Sequence, residues 1–176
     1  MRNIAARRLR FVDESGANIT LARRYGWAPR SERCHGAVPR NYGQNLTLIA
    51  SLSLDGIEAP MLLEGAVDGR AFHAYVQQVL VPTLRPGELV LLDNLSVHKQ
   101  PAIRAMIESA GCRLLHLPSY SPDFNPIELA FSKIKAYLRR VGVRTQEVLA
   151  AAIAAAIDTI TSADASGYFH HQGYVN

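Results

Sequence analysis

The chain has 176 residues, of which 48% are hydrophobic, and its formal net charge is +4. This length suits one domain with a substantial core, and the hydrophobic content excludes a disordered tail. No apolar stretch approaches the roughly 20 residues that a membrane-spanning helix needs, so we expect a cytoplasmic protein with no membrane partner. Two cysteines, Cys34 and Cys112, are too few for a disulfide framework.

Arginine supplies 16 of the 19 basic residues. Because arginine makes bidentate contacts with phosphate, this bias fits a nucleic-acid partner, although an arginine-rich proteome would give the same composition. The residues at 1–40 include nine arginines and only three acids. That local excess favours a polyanionic ligand.

The first predicted element is a strand over 9–14, where the sequence L-R-F-V-D-E alternates. Asp13 falls on the same face as the apolar Leu9 and Phe11. A charge on an apolar face costs free energy unless it has a role, so Asp13 is a better functional candidate than Glu14. Taken alone, Asp13 is explained as a strand-end residue beside a hairpin.

Ser15-Gly16 predicts a turn, and residues 19–21 predict a strand that returns antiparallel to the first. Residues 23–45 then predict a loop in which aromatic residues interleave with arginine. Such side chains hold phosphates and stack on bases. The predicted DNA-binding residues of this loop are Arg23, Arg24, Trp27, Arg30 and Arg33. The alternative is a surface loop with Trp27 packed on the core.

Strands and helices alternate through the rest of the chain. The predicted elements are strands over 46–53 and 59–63 joined at Asp55-Gly56, a helix over 70–81, a strand over 89–93, a helix over 103–110 ending at Gly111, a strand over 113–117, a helix from about 127 to 141, and a helix from about 145 to 160. This order predicts a single α/β domain over 1–176, with a mixed central sheet flanked by helices.

Two further acidic residues stand at the ends of predicted elements. Asp93 follows the apolar run 89–92, at the carboxyl end of a buried strand, where ligands usually bind in open α/β sheets. Glu128 lies in the first turn of a helix for which Asn125 is the predicted N-cap and Pro126 the first residue. Singly, Asp93 is explained as a turn former and Glu128 as a helix-dipole partner. Together they indicate a site.

Two strings around these acids are long and have a fixed spacing. They are D-N-x-x-x-H at 93–98 and P-x-Y-S-P-x-x-N-P-I-E at 118–128, with 34 residues between Asp93 and Glu128. They resemble the catalytic domain of DDE transposases, in particular the IS630 branch of bacterial insertion sequences, which is related to the Tc1/mariner elements. The strand that ends in D-E at 13–14 and the G-W-x-P string at 26–29 extend the resemblance over nearly the whole chain.

The resemblance implies a ribonuclease H-like fold in which Asp13, Asp93 and Glu128 bind two Mg²⁺ or Mn²⁺ ions. Carboxylates are the ligands that such hard cations prefer, and closely packed carboxylates repel one another unless cations are bound. The implied reaction is hydrolysis at transposon ends, followed by attack of the freed 3′-hydroxyl on target DNA. The implied assembly is a homodimer on DNA.

The resemblance also implies supporting residues. Asn94, His98 and Asn125 are expected to order the site or to touch phosphate, although for His98 a helix-start or loop hydrogen bond is an equal alternative. Lys99 and Lys133 complete the predicted DNA-binding set.

A helix-turn-helix region reads the element's ends in this family, and no such region appears in these 176 residues. We therefore expect either a separately encoded recognition region or a truncated, inactive DNA-binding remnant of a transposase. A general ribonuclease H-like nuclease is a third and weaker alternative, because the S-P-D-F-N-P-I-E string argues against it.

Overall fold

The computed structural model describes residues 5–23, 25–41, 43–118 and 122–175. Its centre is a five-stranded sheet with the strand order β3-β2-β1-β4-β5. Strands β1, β2 and β3 are antiparallel neighbours, whereas β4 pairs in parallel with both β1 and β5. The strands are β1 (Leu9–Ala17), β2 (Leu46–Ser53), β3 (Gly56–Glu64), β4 (Leu89–Leu92) and β5 (Arg113–His116).

Helices cover both faces of this sheet, so the predicted mixed sheet flanked by helices is confirmed. One apolar core joins the sheet to α3, α4 and α5, and a second core joins the opposite face to α1 and α2. The helices are α1 (Gly69–Tyr75), which continues as a π-helical segment (Val76–Leu80), α2 (Pro101–Ser109), α3 (Ile127–Val141), α4 (Gln146–Ile157) and α5 (Ser162–His171).

The predicted turn at Ser15-Gly16 is wrong, as is the predicted strand over 19–21. Strand β1 continues to Ala17, because β2 pairs with it along its whole second half as far as Ala17 opposite Leu46. The loop therefore begins after Ala17 and reaches β2 without a strand of its own among its described residues.

The C-terminal helix also differs from its prediction. Helix α4 ends at Ile157, and a separate helix, α5, follows it. Thr161 begins α5 with a capping box, since its hydroxyl accepts from the Asp164 amide while the Asp164 carboxylate accepts from the Thr161 amide. The T-x-x-D sequence at 161–164 is the signal that would have predicted this start.

None of the described helices is by itself long and apolar enough to cross a membrane. Helices α4 and α5 meet the length and composition criteria only as a pair, with a bend of 78° between them. Their apolar residues, including Ile153 and Phe169, are buried in the core against the sheet.

A buried charge cluster ties the strands together at the edge where β1 begins. The Arg10 side chain is 1% exposed and contacts two carboxylates, those of Glu58 on β3 and Glu88 beside β4, the latter at 3.0 Å. A buried guanidinium is tolerated only when it is paired in this way. The sequence pattern placed Arg10 on a strand face and did not reveal its partners.

We predict that Arg10→Ala lowers the free energy of unfolding by about 3–5 kcal/mol, because it leaves two acids near the core without their cation. The matched control is Arg104→Ala, which removes an exposed ion pair to Glu108 on α2 and should cost about 0.5 kcal/mol or less. Urea denaturation of the three proteins measures both values. Equal losses for the two variants would contradict the structural role assigned to Arg10.

Candidate active site

Parallel pairing brings two of the predicted acids to one edge of the sheet. Phe11 on β1 lies opposite Leu91 on β4. Asp13 and Asp93 each follow two residues after this pair, at the carboxyl-terminal side of the parallel ladder. This is the edge at which ligands bind in α/β sheets.

Asp13 is almost buried, with 9% of its surface exposed. Its Oδ1 accepts a hydrogen bond from the Glu14 amide at 2.8 Å, and its Oδ2 accepts one from Asn125 Nδ2 at 2.7 Å. Asn125 was predicted to cap helix α3, and that prediction is wrong. Pro126 occupies the N-cap position without a side-chain bond, and the Asn125 side chain reaches β1 instead.

The surroundings of the Asp13 carboxyl group disfavour its ionised form. Burial raises its pKa from 3.8 to about 7, and repulsion from Glu128, Glu14 and Asp93 adds to the rise, while the Glu14 amide opposes it. The repulsion shows that the other two predicted acids are close enough to act on Asp13. The three residues thus converge on one region although they come from β1, the end of β4 and α3.

Asp93 is held by a different set of donors. Its Oδ1 accepts hydrogen bonds from the Leu95 amide at 3.0 Å and from His98 Nδ1 at 2.5 Å. The other ring nitrogen of His98, Nε2, lies 3.0 Å from Oε1 of Glu14. The buried imidazole of His98 therefore bridges Asp93 and Glu14, which is more than a single loop hydrogen bond.

The ionisation of this group follows from its contacts. Burial lowers the pKa of His98, but its hydrogen bonds to Asp93 and Glu14 outweigh burial and raise the pKa to about 9. Burial raises the pKa of Asp93, but the bonds from His98 and the Leu95 amide prevail and lower it below 3.8. At neutral pH the His98 ring is therefore protonated, and it lies between the Asp93 and Glu14 side chains.

Glu128 is exposed in the first turn of α3, where its side chain has room to move. Among the described residues, no three Asp, Glu, His or Cys side chains already form a metal-ligand cluster. The donor chemistry nevertheless fits a hard divalent cation, because the converging groups are carboxylates. In addition, the buried Oδ1 of Asn125 has no hydrogen-bond partner among the described contacts.

The other predicted site residues lie in different surroundings. Asn94 is half-buried beside Asp93, and Lys99 is exposed next to His98, so both lie at the edge with the acids. Lys133 pairs with Asp164 at 2.8 Å, which leaves it less available to phosphate than predicted. Arg24 lies outside the described residues.

The remaining loop residues are exposed. Trp27 is fully accessible, so the alternative that it packs on the core is wrong. Arg30 and Arg33 are exposed and have no partner among the described contacts. Arg23 donates to the carbonyl of Arg140 at 3.1 Å and so anchors the loop to the end of α3.

The loop and the end of α3 enclose a groove of about 1020 Å³. Its described lining contains four arginines and no acid, together with exposed aromatic side chains. The residues that give it this character are Arg23, Arg139, Arg140, Arg144, Tyr25 and Trp27. The sequence did not indicate that α3 borders this loop, and the role of Glu14 at the acids was missed.

The family profile of the DDE superfamily endonucleases matches residues 8–150 of the chain. The chain belongs to this family. The match spans all three acids, and the predicted membership among the DDE enzymes is confirmed. Comparison with curated proteins gives no significant match.

Solved structures of the Mos1 mariner transposase have the same fold as this DDE endonuclease. The paired end complex with Mn aligns with a TM-score of 0.71 at 17% identity over 96% of this chain and 53% of that one. The paired end complex with Mg aligns with a TM-score of 0.69 at 18% identity, over 97% of this chain and 55% of that one. The isolated catalytic domain aligns with a TM-score of 0.66 at 15% identity, over 94% of this chain and 76% of that one. The chain thus spans about half the length of the transposase chains in the complexes, and its ribonuclease H-like fold is confirmed.

We predict that Asp13→Asn changes how stability depends on pH in the presence of a chelator. Because the folded pKa of Asp13 is raised to about 7, the folded wild type binds more protons than the unfolded chain above pH 3.8. Its stability therefore falls as pH rises towards 7. Relative to wild type, Asp13→Asn should gain about 1–4 kcal/mol across this window and level off above it.

Urea unfolding at intervals between pH 4 and pH 8 measures this difference. Asp123→Asn, which removes an exposed carboxylate, is the matched control. A stability difference between Asp13→Asn and wild type that stays the same at every pH would contradict the burial and repulsion described for Asp13.

Proposed function

We propose that this DDE endonuclease domain is the catalytic domain of a transposase that cleaves DNA strands at transposon ends and joins them to target DNA. The observation that supports the proposal is the placement of three acids at one sheet edge. Asp13 and Asp93 follow the paired parallel strands β1 and β4, and Glu128 stands in the first turn of α3, whose start contacts Asp13 through Asn125. The IS630 branch, suggested by the motifs at 93–98 and 118–128, is part of this proposal.

Asp13, Asp93 and Glu128 would hold two Mg²⁺ or Mn²⁺ ions, the metals named for the Mos1 paired end complexes. When bound, such ions activate the attacking oxygen and stabilise the leaving oxygen of a phosphodiester. Asn125 would keep Asp13 at the end of β1 through its 2.7 Å hydrogen bond. Exposed Lys99, at the same edge, is suited to contact a phosphate.

The reaction consists of two substitutions at phosphorus. In the first, water forms a bond to phosphorus and the bond to the 3′-oxygen breaks, which leaves a 3′-hydroxyl and a 5′-phosphate. In the second, that 3′-hydroxyl attacks a phosphodiester of the target and releases a new 3′-hydroxyl there. No protein nucleophile enters either step, because the three acids are assigned to the metal ions.

An inactive DNA-binding remnant is not favoured, since all three acids are present and the family match spans them. A general ribonuclease H-like nuclease would share the acids, but the S-P-D-F-N-P-I-E string at 121–128 argues against it. Cleavage of an RNA–DNA hybrid in preference to duplex DNA would favour that second candidate.

DNA is the proposed partner, and the basic groove is the surface proposed to bind its backbone. Arg140 lies twelve residues after Glu128 on α3, which is about 18 Å along the helix axis. At 3.4 Å per base pair this distance spans about five base pairs of duplex. A duplex that ran parallel to α3 would therefore meet the groove about half a helical turn from the cleaved bond.

The proposed assembly is a homodimer on paired transposon ends in a bacterial cytoplasm. A helix-turn-helix region outside these 176 residues, on the same or a separate polypeptide, would recognise the ends. The domain described here would supply the chemistry and the sequence-independent backbone contacts.

We predict that Glu128→Gln reduces Mn²⁺-dependent nicking of supercoiled plasmid by at least roughly 100-fold, because loss of a metal ligand should cost no less than loss of its supporting contacts. Glu108→Gln, which alters an exposed carboxylate on α2, is the matched control. Circular dichroism checks that both variants fold. Undiminished nicking by Glu128→Gln would remove this residue from the mechanism.

We predict that Arg30→Ala combined with Arg33→Ala weakens DNA binding and makes it less sensitive to salt. Each lost phosphate contact should lower the slope of log K against log salt by about 0.9, so the pair should lower it by about 1.8. Fluorescence anisotropy with duplex DNA at several salt concentrations measures the slope.

The double variant Arg85→Ala with Arg113→Ala is the control, since these exposed arginines lie at the opposite edge of the sheet. An unchanged slope in the loop variant would make residues 30–33 structural only. An equal change in both double variants would indicate a non-specific effect of charge.

A further inference from the structure

Strand β1 sends its two adjacent acids to opposite faces of the sheet. Asp13 contacts Asn125 at the start of α3, whereas Glu14 turns to the side covered by α1 and α2. There its side chain is 14% exposed and Oε1 lies 3.0 Å from His98 Nε2. Glu14 is therefore a fourth acid at the site, with a partner 84 residues away in the sequence.

His98 is fixed at both ring nitrogens and on its face. Its side chain is 0% exposed, Nδ1 bonds to Asp93 and Nε2 bonds to Glu14. The ring also packs on Phe72 with centroids 4.2 Å apart. A ring flip would break both hydrogen bonds, so Glu14 and Phe72 together determine how His98 meets Asp93.

Asp93 needs such a constraint because it stands just after the end of β4. The torsion that turns a carboxylate about its last bond is broad, so sterics alone do not set its orientation. Both hydrogen bonds described for this carboxylate end on Oδ1, one from the Leu95 amide and one from His98. Oδ1 is thus anchored from two sides, and the orientation of Oδ2 follows from it.

We propose that Glu14 is a positioning residue that acts through His98 to hold the Asp93 carboxylate in its cation-binding orientation, without contacting the cation itself. The inference rests on the proposed function, since it assigns Asp93 to the metal. Oε1 of Glu14 is occupied by His98, and the imidazole lies between Glu14 and Asp93. Outer contacts of this kind orient metal ligands in proteins.

The test is calorimetric titration of Mn²⁺ into the purified chain and its variants. Glu14→Ala leaves His98 Nε2 without its partner, and it should weaken Mn²⁺ binding roughly 10- to 100-fold. Glu14→Gln retains a hydrogen-bonding group of the same length, so its Mn²⁺ affinity should return most of the way to the wild-type value. Urea unfolding confirms that each variant is folded.

A double-mutant cycle separates positioning from a direct effect on the ion. If Glu14 acts through His98, Glu14→Ala should have little further effect on Mn²⁺ affinity in a His98→Ala background. His98→Gln replaces His98→Ala in the cycle if the smaller side chain prevents folding. The same loss in both backgrounds would overturn the proposal, as it would mean that Glu14 acts on the ion directly or by charge alone.

Two other outcomes are distinguishable. Wild-type affinity in Glu14→Ala, with affinity lost in Asp93→Asn, would overturn the role of Glu14 and leave the proposed metal site intact. Equal Mn²⁺ affinity in wild type and Asp93→Asn would overturn both the role of Glu14 and the proposed metal site, because Asp93 would then not be a ligand.

Discussion

The burial of an acid among other acids, at the edge shared by β1 and β4, is the constraint to which the rest of this site responds. Burial raises the pKa of Asp13 to about 7, and repulsion from Glu128, Glu14 and Asp93 adds to the rise. The fold meets this cost with donors placed on each aspartate. An amide side chain and a backbone amide hold Asp13, while an imidazole and a backbone amide hold Asp93. Glu128 remains exposed, so the acid on the helix is the one with freedom to adjust.

The sheet gives these contacts a rigid support. The parallel pairing of β1 with β4 sets the two aspartates at one level, and an apolar core on each face fixes both strands. At the opposite edge, the buried Arg10 ties β1 to β3 and to the residue before β4. The Arg10 ion pairs thus link the strands at one edge, while acids that repel one another are gathered at the other, as is common where chemistry requires such groups.

The sequence was informative where a signal is local and less so where partners are distant. The positions of Asp93 after a strand and of Glu128 in the first turn of a helix could be predicted, because turn and helix-start residues stand beside them. The motifs around them placed the chain in its family. The end of β1 could not be predicted from the sequence, because pairing with β2 overrode the turn preference of Ser15-Gly16. The same limit hid the role of Glu14, since nothing near position 14 indicates a contact with His98. Asn125 was assigned to the helix start by local propensity, yet its tertiary contact with Asp13 prevailed.

The central claim is that Asp13, Asp93 and Glu128 form one metal site, and a crystal structure with Mn²⁺ tests it most directly. Anomalous scattering locates the ions without reference to activity or to DNA recognition. We expect two peaks about 4 Å apart, with oxygens of Asp13 and Asp93 as ligands and Glu128 turned toward them. Peaks elsewhere, or Mn²⁺ bound with Glu128 pointing away in crystals that also contain DNA, would contradict it.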